Sequence, residues 1–369
     1  MANLRLPGPT PVPDDVVAAM SQPMIDHRGV AFKEIFDRLT ANLQKAFETK
    51  NDVFILTSSG TGAMEAAVTN TLSPGERVLA VSIGNFGDRF SKIAKTYGAD
   101  VTDLKFPEGE IADPDAVRQA LKDNPEVTTV LVTHNETSTG ITNDLEALAK
   151  VIKGEFNKLI LVDAISSLGS IRLATDAWEL DVVISASQKG WMCPPGVAMI
   201  SLGSRGWEAA HRASMPRFYF DLAEAKTSAD KGQTPWTPAI SLIYGMDFAV
   251  QKMLANGDMQ AVYDFHASIA QYTRDGLTDL GLKLVATDVK YASNTVTAAW
   301  LPEGISDQAL LGMLRDDYDV VAAEGRGRLA GNVFRIGHMG YVSEQDIDGV
   351  LTALRQALPR LGFTPAAAG

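Results

Sequence analysis

Lys189 is the residue around which a chemical interpretation of this sequence can be built. It lies in Ser187-Gln188-Lys189-Gly190, shortly after the apolar run Val182-Val183-Ile184, which is typical of a buried strand in a parallel sheet. Lysine keeps its charge in water, so a lysine at the end of a core strand is either a solvated surface residue or a positioned amine. Desolvation lowers the pKa of an ammonium group, and a neutral amine forms a Schiff base with an aldehyde. The residues that accompany Lys189 decide between the two interpretations.

A glycine-rich segment, Ser58-Ser59-Gly60-Thr61-Gly62, has the composition of an anion-binding turn. It follows an apolar strand and opens an alanine-rich helix. Glycines allow a tight turn, and the first N–H groups of a helix, together with its dipole, favour an anion. The segment has neither the lysine of a nucleotide-binding P-loop nor the spacing of a dinucleotide fingerprint. We interpret it as a phosphate cup or, alternatively, as a turn with capping hydroxyls.

Two charged residues occupy positions that a hydrophobic core would normally exclude. Asp163 ends the apolar strand 159–163, at the carboxyl edge where open α/β sheets bind ligands. A carboxylate there either holds the protonated nitrogen of a pyridine ring or caps the next turn. Arg335 lies in the apolar strand 333–336 and needs an anionic partner, which is either a substrate carboxylate or an internal salt bridge. We expect both residues at the same edge of one sheet as the phosphate cup and Lys189.

Composition limits the classes of partner. The chain has 369 residues, 46% of them hydrophobic and 21% charged, and a formal net charge of −12. This charge argues against nucleic acid or an anionic membrane as the main partner. The single cysteine, Cys193, excludes an internal disulfide and a cysteine-rich zinc site, and the five histidines lack metal-ligand spacing. The absence of an N-terminal apolar signal core and of an apolar stretch of about 18 residues leads us to expect a cytoplasmic protein.

Strands and helices alternate through the first half of the chain. Apolar runs predict the strands, and segments with apolar residues at helical spacing predict the helices between them. The predicted strands are residues 53–56, 77–83, 101–106, 127–133, 159–163, 182–185 and 197–202. This alternation predicts an α/β fold with a mostly parallel seven-stranded sheet covered by helices on both faces.

The pattern divides the chain into three parts. Residues 1–20 form an N-terminal arm, in which the prolines of 8–13 exclude regular structure before a short helix begins. Residues 21–255 form the large α/β domain, and residues 256–369 form a smaller α+β domain that ends in a frayed tail from Thr364. Residues 204–237 have a loop-like composition, and we expect substrate selectivity to come from them.

Taken together, these motifs resemble the class V aminotransferases of pyridoxal-phosphate fold type I, most closely the alanine/serine–glyoxylate aminotransferase branch. The similarity extends from Gly8-Pro9-Thr10 to Arg335-Ile336-Gly337 and so covers nearly the whole chain. The resemblance implies pyridoxal 5'-phosphate as the cofactor and a homodimer with shared active sites. Its most specific segments are residues 59–62 with Glu65, 136–140, 162–163, and 187–189 followed by Pro194-Pro195-Gly196.

The resemblance also implies roles for individual residues. Lys189 would carry the cofactor as a Schiff base and then move a proton between the substrate Cα and the cofactor C4′. Asp163 would bind the pyridine nitrogen, and Arg335 the substrate carboxylate. Phe86 stands where the family often has a tryptophan, and phenylalanine also stacks on a flat ring. The other implied contacts are Ser59, Gly60, Thr61 and Gln188 to the phosphate, Phe86 and Ile165 to the two ring faces, Thr137 to the ring hydroxyl, and Thr234 or Thr237 to the phosphate of the neighbouring subunit.

The reaction that this resemblance implies is a ping-pong transamination. A small amino acid, alanine or serine, leaves its nitrogen on the cofactor and departs as a 2-oxo acid, and a second 2-oxo acid, glyoxylate or pyruvate, takes the nitrogen up. Three alternatives stay open: another class V enzyme such as a phosphoserine aminotransferase or a lyase, a cysteine desulfurase, or a non-catalytic binding protein of this fold. Cys193 lies only four residues after Lys189, which disfavours the desulfurase.

Overall fold

The central sheet is built from the apolar runs of the first half of the chain. The structure is a computed structural model that describes residues 2–364. Each long strand of its central sheet contains one of the predicted runs with Val, Ile or Leu, the residues typical of buried parallel strands. The strands in this range are β1 Asn3–Leu4, β2 Asp52–Ser58, β3 Arg77–Ser82, β4 Asp100–Lys105, β5 Thr129–Thr133, β6 Asn135–Glu136, β7 Ile141–Thr142, β8 Leu159–Asp163, β9 Val182–Ala186, β10 Gly196–Leu202, β11 Val296–Trp300, β12 Val320–Val321, β13 Ala323–Glu324 and β14 Val333–Gly337.

The order and direction of these strands create a ligand-binding edge. In the described part of the chain, seven strands lie side by side in the order β2-β10-β9-β8-β5-β3-β4. Neighbours from β9 to β4 pair in parallel, whereas β10 runs antiparallel to both β9 and β2. The carboxyl ends of β2, β9, β8, β5 and β3 therefore share one edge, where ligands bind in open α/β sheets. The predicted α/β class with a mostly parallel sheet is confirmed.

Helices cover both faces of this sheet. One hydrophobic cluster, on one face, contains Phe32, Val81 and Trp191, and a second, on the other face, contains Met64 and Phe90. Burial on both faces explains why the inner strands are largely apolar instead of alternating, whereas the edge strand β4 is partly exposed and carries polar residues. The helices are α1 Asp14–Met20, α2 Val30–Ala46, α3 Gly60–Thr71, α4 Asn85–Thr96, α5 Pro114–Asp123, α6 Leu145–Ala149 with a π-helical continuation Lys150–Glu155, α7 Ser204–Arg212, α8 Leu222–Ala229, α9 Ile240–Met253, α10 Gln260–Asp279, α11 Asp307–Tyr318 and α12 Glu344–Arg360.

A second, smaller sheet holds Arg335. Strands β11, β14 and β13 lie in that order and are antiparallel, and helices α10 to α12 pack around a third hydrophobic cluster that includes Phe334 and Leu354. Arg335 is in β14, where it pairs with Ala298 and Ala323. The expectation that Arg335 shares the edge of the central sheet is therefore wrong. The boundary between domains at residue 255 stays a prediction.

The N-terminal arm links the two sheets. Strand β1 pairs in parallel with β12, and the backbone N–H of Gly337 donates to the carbonyl of Arg5 over 2.7 Å. Residues 5–13 have no regular structure, as their prolines predict, and Thr10 donates through its N–H and its hydroxyl to the carbonyls of Gln188 and Lys189. The arm therefore runs directly past the candidate chemical residue.

The segment 204–237, whose composition is loop-like, contains two helices. Helix α7 buries the small residues Gly206, Ala209 and Ala210 instead of a stripe of large apolar side chains, which hides the helical period from the sequence. Helix α8 begins at Asp221, whose carboxylate accepts a hydrogen bond from the N–H of Ala223. Residues 213–221 and 230–237 carry the aromatic loops.

The predicted frayed tail falls, apart from Thr364, outside the described residues. Within residues 2–364, the length and apolarity that a membrane-crossing helix needs are not met by any helix.

Candidate active site

A cavity of about 320 Å³ lies between the carboxyl edge of the central sheet and the smaller sheet. This volume suits a small organic ligand. Asp163 lies close enough for its charge to raise the pKa of Lys189, whereas Thr234 lines a separate small pocket. The predicted site residues that line the cavity are Ser59, Gly60, Thr61, Phe86, Thr137, Ile165, Gln188, Lys189 and Arg335.

Lys189 is a buried amine. Its side chain is 8% exposed, and Nζ donates a hydrogen bond to the carbonyl of Pro7. Burial lowers the pKa of Lys189 to about 8, and the positive charge of Arg335 acts in the same direction. At pH 8 about half of these amines are neutral, against about 0.3% for a lysine with an ordinary pKa. Lys189 is therefore a buried, positioned amine instead of a solvated surface residue.

This low pKa predicts a pH-dependent contribution of Lys189 to stability. Between pH 8 and 10.5 the native protein releases this proton before the unfolded chain does, so its stability rises with pH across that window. We expect the free energy of unfolding of wild type, relative to the Lys189→Met variant, to increase by about 2–3 kcal/mol from pH 7 to pH 10. Urea titrations of the two cofactor-free proteins measure this difference, and a difference that stays constant with pH would contradict the pKa.

Gly8 allows the arm to pass close to Lys189. A Cβ atom at Gly8 would lie 2.7 Å from Cδ and Nζ of Lys189, and the backbone φ is +107°. We expect Gly8→Ala to displace the amine and lower turnover by about 10²-fold, since small misplacements of a reacting group have effects of that size.

The control for Gly8→Ala is Gly75→Ala, because Gly75 has φ +78° and no atom within 4 Å of its added Cβ. Both variants are strained in the backbone, by about 1–3 kcal/mol, and only Gly8→Ala should lose turnover. Equal turnover in Gly8→Ala and Gly75→Ala would show that the contact between residue 8 and Lys189 is unimportant. Thermal unfolding of both variants is measured alongside turnover.

Asp163 is a buried carboxylate at the end of β8. Its Oδ1 accepts a hydrogen bond of 3.0 Å from the N–H of Ile165, and the residue is 4% exposed. The pKa of Asp163 is raised to about 7, mainly by burial and in smaller part by the negative charge of Glu136. The charges of Lys189 and Arg89 oppose this rise. A cation placed against the free oxygen would hold the carboxylate ionised at neutral pH.

The predicted phosphate cup is at the N-terminus of α3. Ser59 has extended backbone geometry before the helix, and its hydroxyl makes no capping hydrogen bond. The first N–H groups of the helix have no partner within it, so they are free to bind an anion. A Cβ at Gly60 would lie 2.7 Å from Cδ1 of Ile165, so a larger residue at this position would have to displace the Ile165 side chain. Oε1 of Gln188 is buried and makes no hydrogen bond within residues 2–364.

The first two turns of α4 add an aromatic ring and a cation. The guanidinium of Arg89 lies 4.7 Å from the ring centre of Phe86, and its Nη1 donates over 3.3 Å to the hydroxyl of Thr61. The carboxylate of Glu136 accepts hydrogen bonds from the N–H groups of Phe86 and Gly87, over 2.9 and 3.2 Å, and fixes the start of the helix. The ring of Phe86 is thereby held at the cavity wall.

Arg335 is 3% exposed and anchored by backbone carbonyls. Its Nε donates to the carbonyl of Glu324 over 2.8 Å, and its Nη1 donates to that of Thr137 over 2.9 Å. Burial lowers the pKa of Arg335 to about 10, and the charge of Arg326 contributes. Among the described residues, no carboxylate forms an ion pair with it. The alternative of an internal salt bridge is therefore wrong, and the guanidinium is available for an anion.

Thr234 is placed away from the Lys189 cavity of its own chain. It is 6% exposed, and its hydroxyl donates to the carbonyl of Trp236 over 2.7 Å. Arg28 holds the same turn by donating to the carbonyl of Thr234 over 2.6 Å. Thr237 lines the same small pocket. A contact of either residue with a neighbouring subunit stays a prediction.

Three parts of the cavity wall were not predicted from the sequence. They are Arg89, Arg326 and the arm residues Pro7 and Gly8. Arginines on an amphipathic helix or in a glycine turn have the pattern of solvated surface residues, so their sequence context carries no signal. The arm had a signal, the string of prolines, but its course across the site depends on long-range pairing with β12 and β14.

Cys193 is buried, and burial raises the pKa of its thiol to about 12. A thiol of this kind is a poor nucleophile, because the thiolate is the reactive form. In addition, no group of three or more His, Cys, Asp or Glu side chains within residues 2–364 is arranged to hold a metal ion.

The comparison with protein families shows the class to which a chain with this fold and this buried lysine belongs. The family "Aminotransferase class-V" matches residues 3–349, so this chain belongs to the class V aminotransferases. The predicted resemblance is confirmed.

Relatives and solved structures are similar over almost the whole chain. A Synechococcus protein named soluble hydrogenase, small subunit, is 40% identical, with coverage of 98% of this chain and 94% of that one. An L-aspartate–glyoxylate aminotransferase of Paracoccus denitrificans is 35% identical, with coverage of 94% and 89%. The structure of an alanine–glyoxylate aminotransferase from Nostoc has a TM-score of 0.92 and 31% identity, with coverage of 97% of this chain and 95% of that one.

Proposed function

We propose that this class V aminotransferase uses pyridoxal 5'-phosphate to move an amino group from a small amino acid, alanine or serine, to a small 2-oxo acid, glyoxylate or pyruvate. The observation that carries the proposal is the buried amine of Lys189, with its low pKa, together with the unpaired guanidinium of Arg335 on the wall of one cavity, and the buried carboxylate of Asp163 close enough to act on the pKa of Lys189. Both the aspartate and the alanine enzymes named above are glyoxylate aminotransferases, which supports glyoxylate as the acceptor.

The residues of the cavity fit the proposed cofactor. The free N–H groups at the start of α3 and the hydroxyls of Ser59 and Thr61 suit a phosphate group, and the N–H₂ end of the Gln188 amide can also donate to it. Phe86 and Ile165 offer apolar surfaces for the two faces of a flat ring, and Thr137 offers a hydroxyl at its edge. Among the described residues, no carboxylate lines the cavity at the cup, so no negative charge there would repel a phosphate.

Each residue of the proposed machinery then has one task. When bound, pyridoxal phosphate supplies an aldehyde that accepts the amino nitrogen and a ring that stores the electron pair. Lys189 holds the cofactor through its amine and, once released by the amino donor, takes the proton from the substrate Cα. Asp163 accepts a hydrogen bond from the ring nitrogen and keeps its proton in place. Arg335 binds the α-carboxylate of donor and acceptor alike.

The proposed active form is a homodimer whose subunits complete each other's sites. Phe218 is 75% exposed and Tyr219 45%, and both stack against Trp236, next to Thr234. An exposed aromatic patch of this kind favours a protein partner. A second copy of the chain on this patch would bring Thr234 or Thr237 towards the phosphate cup of its neighbour. The proposal also includes a cytoplasmic location, which follows from the cysteine usage.

Single half-reactions test the proposed function. Purified holoenzyme is mixed with L-alanine or L-serine, without acceptor, and the visible absorbance of the bound cofactor and the released 2-oxo acid are measured. We expect one equivalent of 2-oxo acid per site, and restoration of the original spectrum by glyoxylate or pyruvate. Bound cofactor that reacts with no amino acid would instead support the non-catalytic binding protein.

Two arms of the same assay separate the remaining class V alternatives. O-Phospho-L-serine with 2-oxoglutarate tests the phosphoserine aminotransferase, and L-cysteine with detection of sulfide tests the desulfurase. The matched variant is Cys193→Ala, which removes a buried thiol that is not among the residues lining the cavity. We expect Cys193→Ala to keep transaminase turnover within about twofold, after correction for the active fraction.

A further inference from the structure

A second arginine faces the cavity beside Arg335. Arg326 follows β13, in a turn that leads to the short helical turn Gly327–Leu329, and it lines the cavity together with Arg335 and Lys189. Its side chain is exposed, and within residues 2–364 its guanidinium makes no hydrogen bond or ion pair. Arg328, two residues later, is instead paired with the carboxylate of Glu108 and donates to the carbonyl of Phe106 over 3.3 Å.

The position of Arg326 assigns it to the substrate end of the cavity. Arg326 and Arg335 together also line an adjoining groove of about 540 Å³ next to Gln308 and Gly312. None of the cup residues, Ser59 to Thr61, lines this groove. A phosphate held in the cup would therefore lie away from the space that the two arginines share.

The chain offsets only part of the local positive charge: Glu324 lies near enough to raise the pKa of Arg335 and lines the adjoining groove with Asp307, but neither carboxylate pairs with Arg326 within residues 2–364. The positive charge of Arg326 lowers the pKa of both Arg335 and Lys189, which shows that the three cations act on one another. Glu136, a buried carboxylate nearby, already accepts hydrogen bonds from Ser138, Phe86 and Gly87. The α-carboxylate of an amino acid neutralises one guanidinium, and the second cation stays without a partner.

We propose that Arg326 determines substrate specificity by binding the second carboxylate of a dicarboxylic substrate. The enzyme would accordingly accept amino dicarboxylic acids such as L-aspartate or L-glutamate in addition to small neutral amino acids. This inference rests on the proposed transaminase function, with Arg335 on the α-carboxylate. The side-chain carboxylate extends towards the adjoining groove and forms a charge-assisted pair with Arg326. No residue of the described chain pairs with the Arg326 guanidinium in its place.

Donor kinetics with three variants test this role. With glyoxylate as the fixed acceptor, kcat/KM is measured for L-aspartate, L-glutamate, L-alanine and L-serine in wild type, Arg326→Gln, Arg326→Lys and Arg328→Gln. We expect Arg326→Gln to lower kcat/KM for the two dicarboxylic donors by about tenfold or more, mainly through KM, with alanine and serine within about twofold. Arg326→Lys should recover part of the loss, and Arg328→Gln, in the same turn but outside the cavity, should behave as wild type.

A binding measurement separates this inference from the proposed function. Succinate and butyrate have the same number of carbons and differ by one carboxylate, and neither has an amino group to transfer. Calorimetry on the holoenzyme should show succinate binding about tenfold more tightly than butyrate in wild type and equally to butyrate in Arg326→Gln.

Equal binding of the two acids in wild type, or equal losses for aspartate and alanine in Arg326→Gln, would overturn the role of Arg326 and leave the transaminase proposal standing. Failure of every amino donor, with succinate still preferred, would overturn the transaminase proposal and support an Arg326 site for dicarboxylic acids.

Discussion

Replacement of Lys189 by alanine is expected to lower transaminase turnover by at least about 10³-fold. In the proposed reaction Lys189 is both the amine that holds the cofactor and the group that carries the proton from the substrate Cα. Its place at the closed end of the cavity, between Gly8 and Phe86, leaves no second lysine that could take over within the residues that line it. The loss should appear in kcat, since the substrate carboxylate still has Arg335.

The fold of the Lys189→Ala variant should be at least as stable as wild type at pH 7. Lys189 as an ammonium is disfavoured by burial, so its removal relieves a cost instead of creating one. Thermal unfolding of the two cofactor-free proteins at this pH is the measurement. Retention of full turnover in Lys189→Ala would remove the basis of the proposed mechanism.

Lys153 provides a matched control because it is also a buried lysine. Its Nζ pairs with the carboxylate of Asp181 at 2.6 Å, and both side chains are 6% exposed. Lys153→Ala leaves the Asp181 charge buried without its partner, so we expect a loss of about 3–5 kcal/mol in stability. The cavity is untouched, so turnover per folded molecule should be preserved. The two lysine variants thus give opposite signatures.

The central sheet could be predicted because its strands are buried on both faces. Such strands, β5 Thr129–Thr133 for example, are continuous apolar runs that no surface helix would tolerate. Their alternation with helices then implies parallel pairing and a common carboxyl edge. The positions of Lys189 and Asp163 at that edge follow directly, since Asp163 ends β8 and Lys189 comes shortly after the end of β9.

The placement of Arg335 could not be predicted in the same way. The residue was recognised as an unusual arginine in an apolar strand, but the sheet to which a strand belongs depends on pairing between distant segments. The register of β14 with β11 and β13 sets Arg335 opposite Ala298 and Ala323. Those small neighbours and the backbone carbonyls of Thr137 and Glu324 direct it into the cavity.

The helices α7 and α8 were missed for a related reason. A helical period is visible when large apolar residues recur every three or four positions, and α7 buries glycine and alanine instead. Arg89 and Arg326 could not be assigned to the cavity from the sequence either. An arginine that contacts a substrate and an arginine on a solvated surface have the same sequence pattern. Only the course of the chain in space brings them to the cavity.

Replacement of Asp163 by asparagine is expected to lower turnover by about 10²–10³-fold while the cofactor still binds. Asparagine has the same shape, and its carbonyl can accept the N–H of Ile165 as Oδ1 does now. It lacks the negative charge that would stabilise a protonated ring nitrogen in this buried position. The binding residues of the cup and the amine of Lys189 are unchanged, so cofactor affinity, measured by fluorescence titration, should fall much less than kcat.

A cofactor analogue with a permanent positive charge distinguishes the charge of Asp163 from its shape. Pyridoxal phosphate methylated at the ring nitrogen stays cationic without any help from the protein. If Asp163 acts by holding that charge, the analogue should restore part of the turnover of Asp163→Ala, which also has room for the methyl group, and should inhibit wild type, whose carboxylate would meet a methyl group. Asp163→Asn with wild-type turnover, or no rescue of Asp163→Ala by a bound analogue, would show that the buried carboxylate only terminates its strand. In the cofactor-free site the pKa of Asp163 is about 7, so its carboxyl group is about half protonated at neutral pH. The negative charge of Asp163 therefore depends on a cationic partner such as the protonated ring nitrogen.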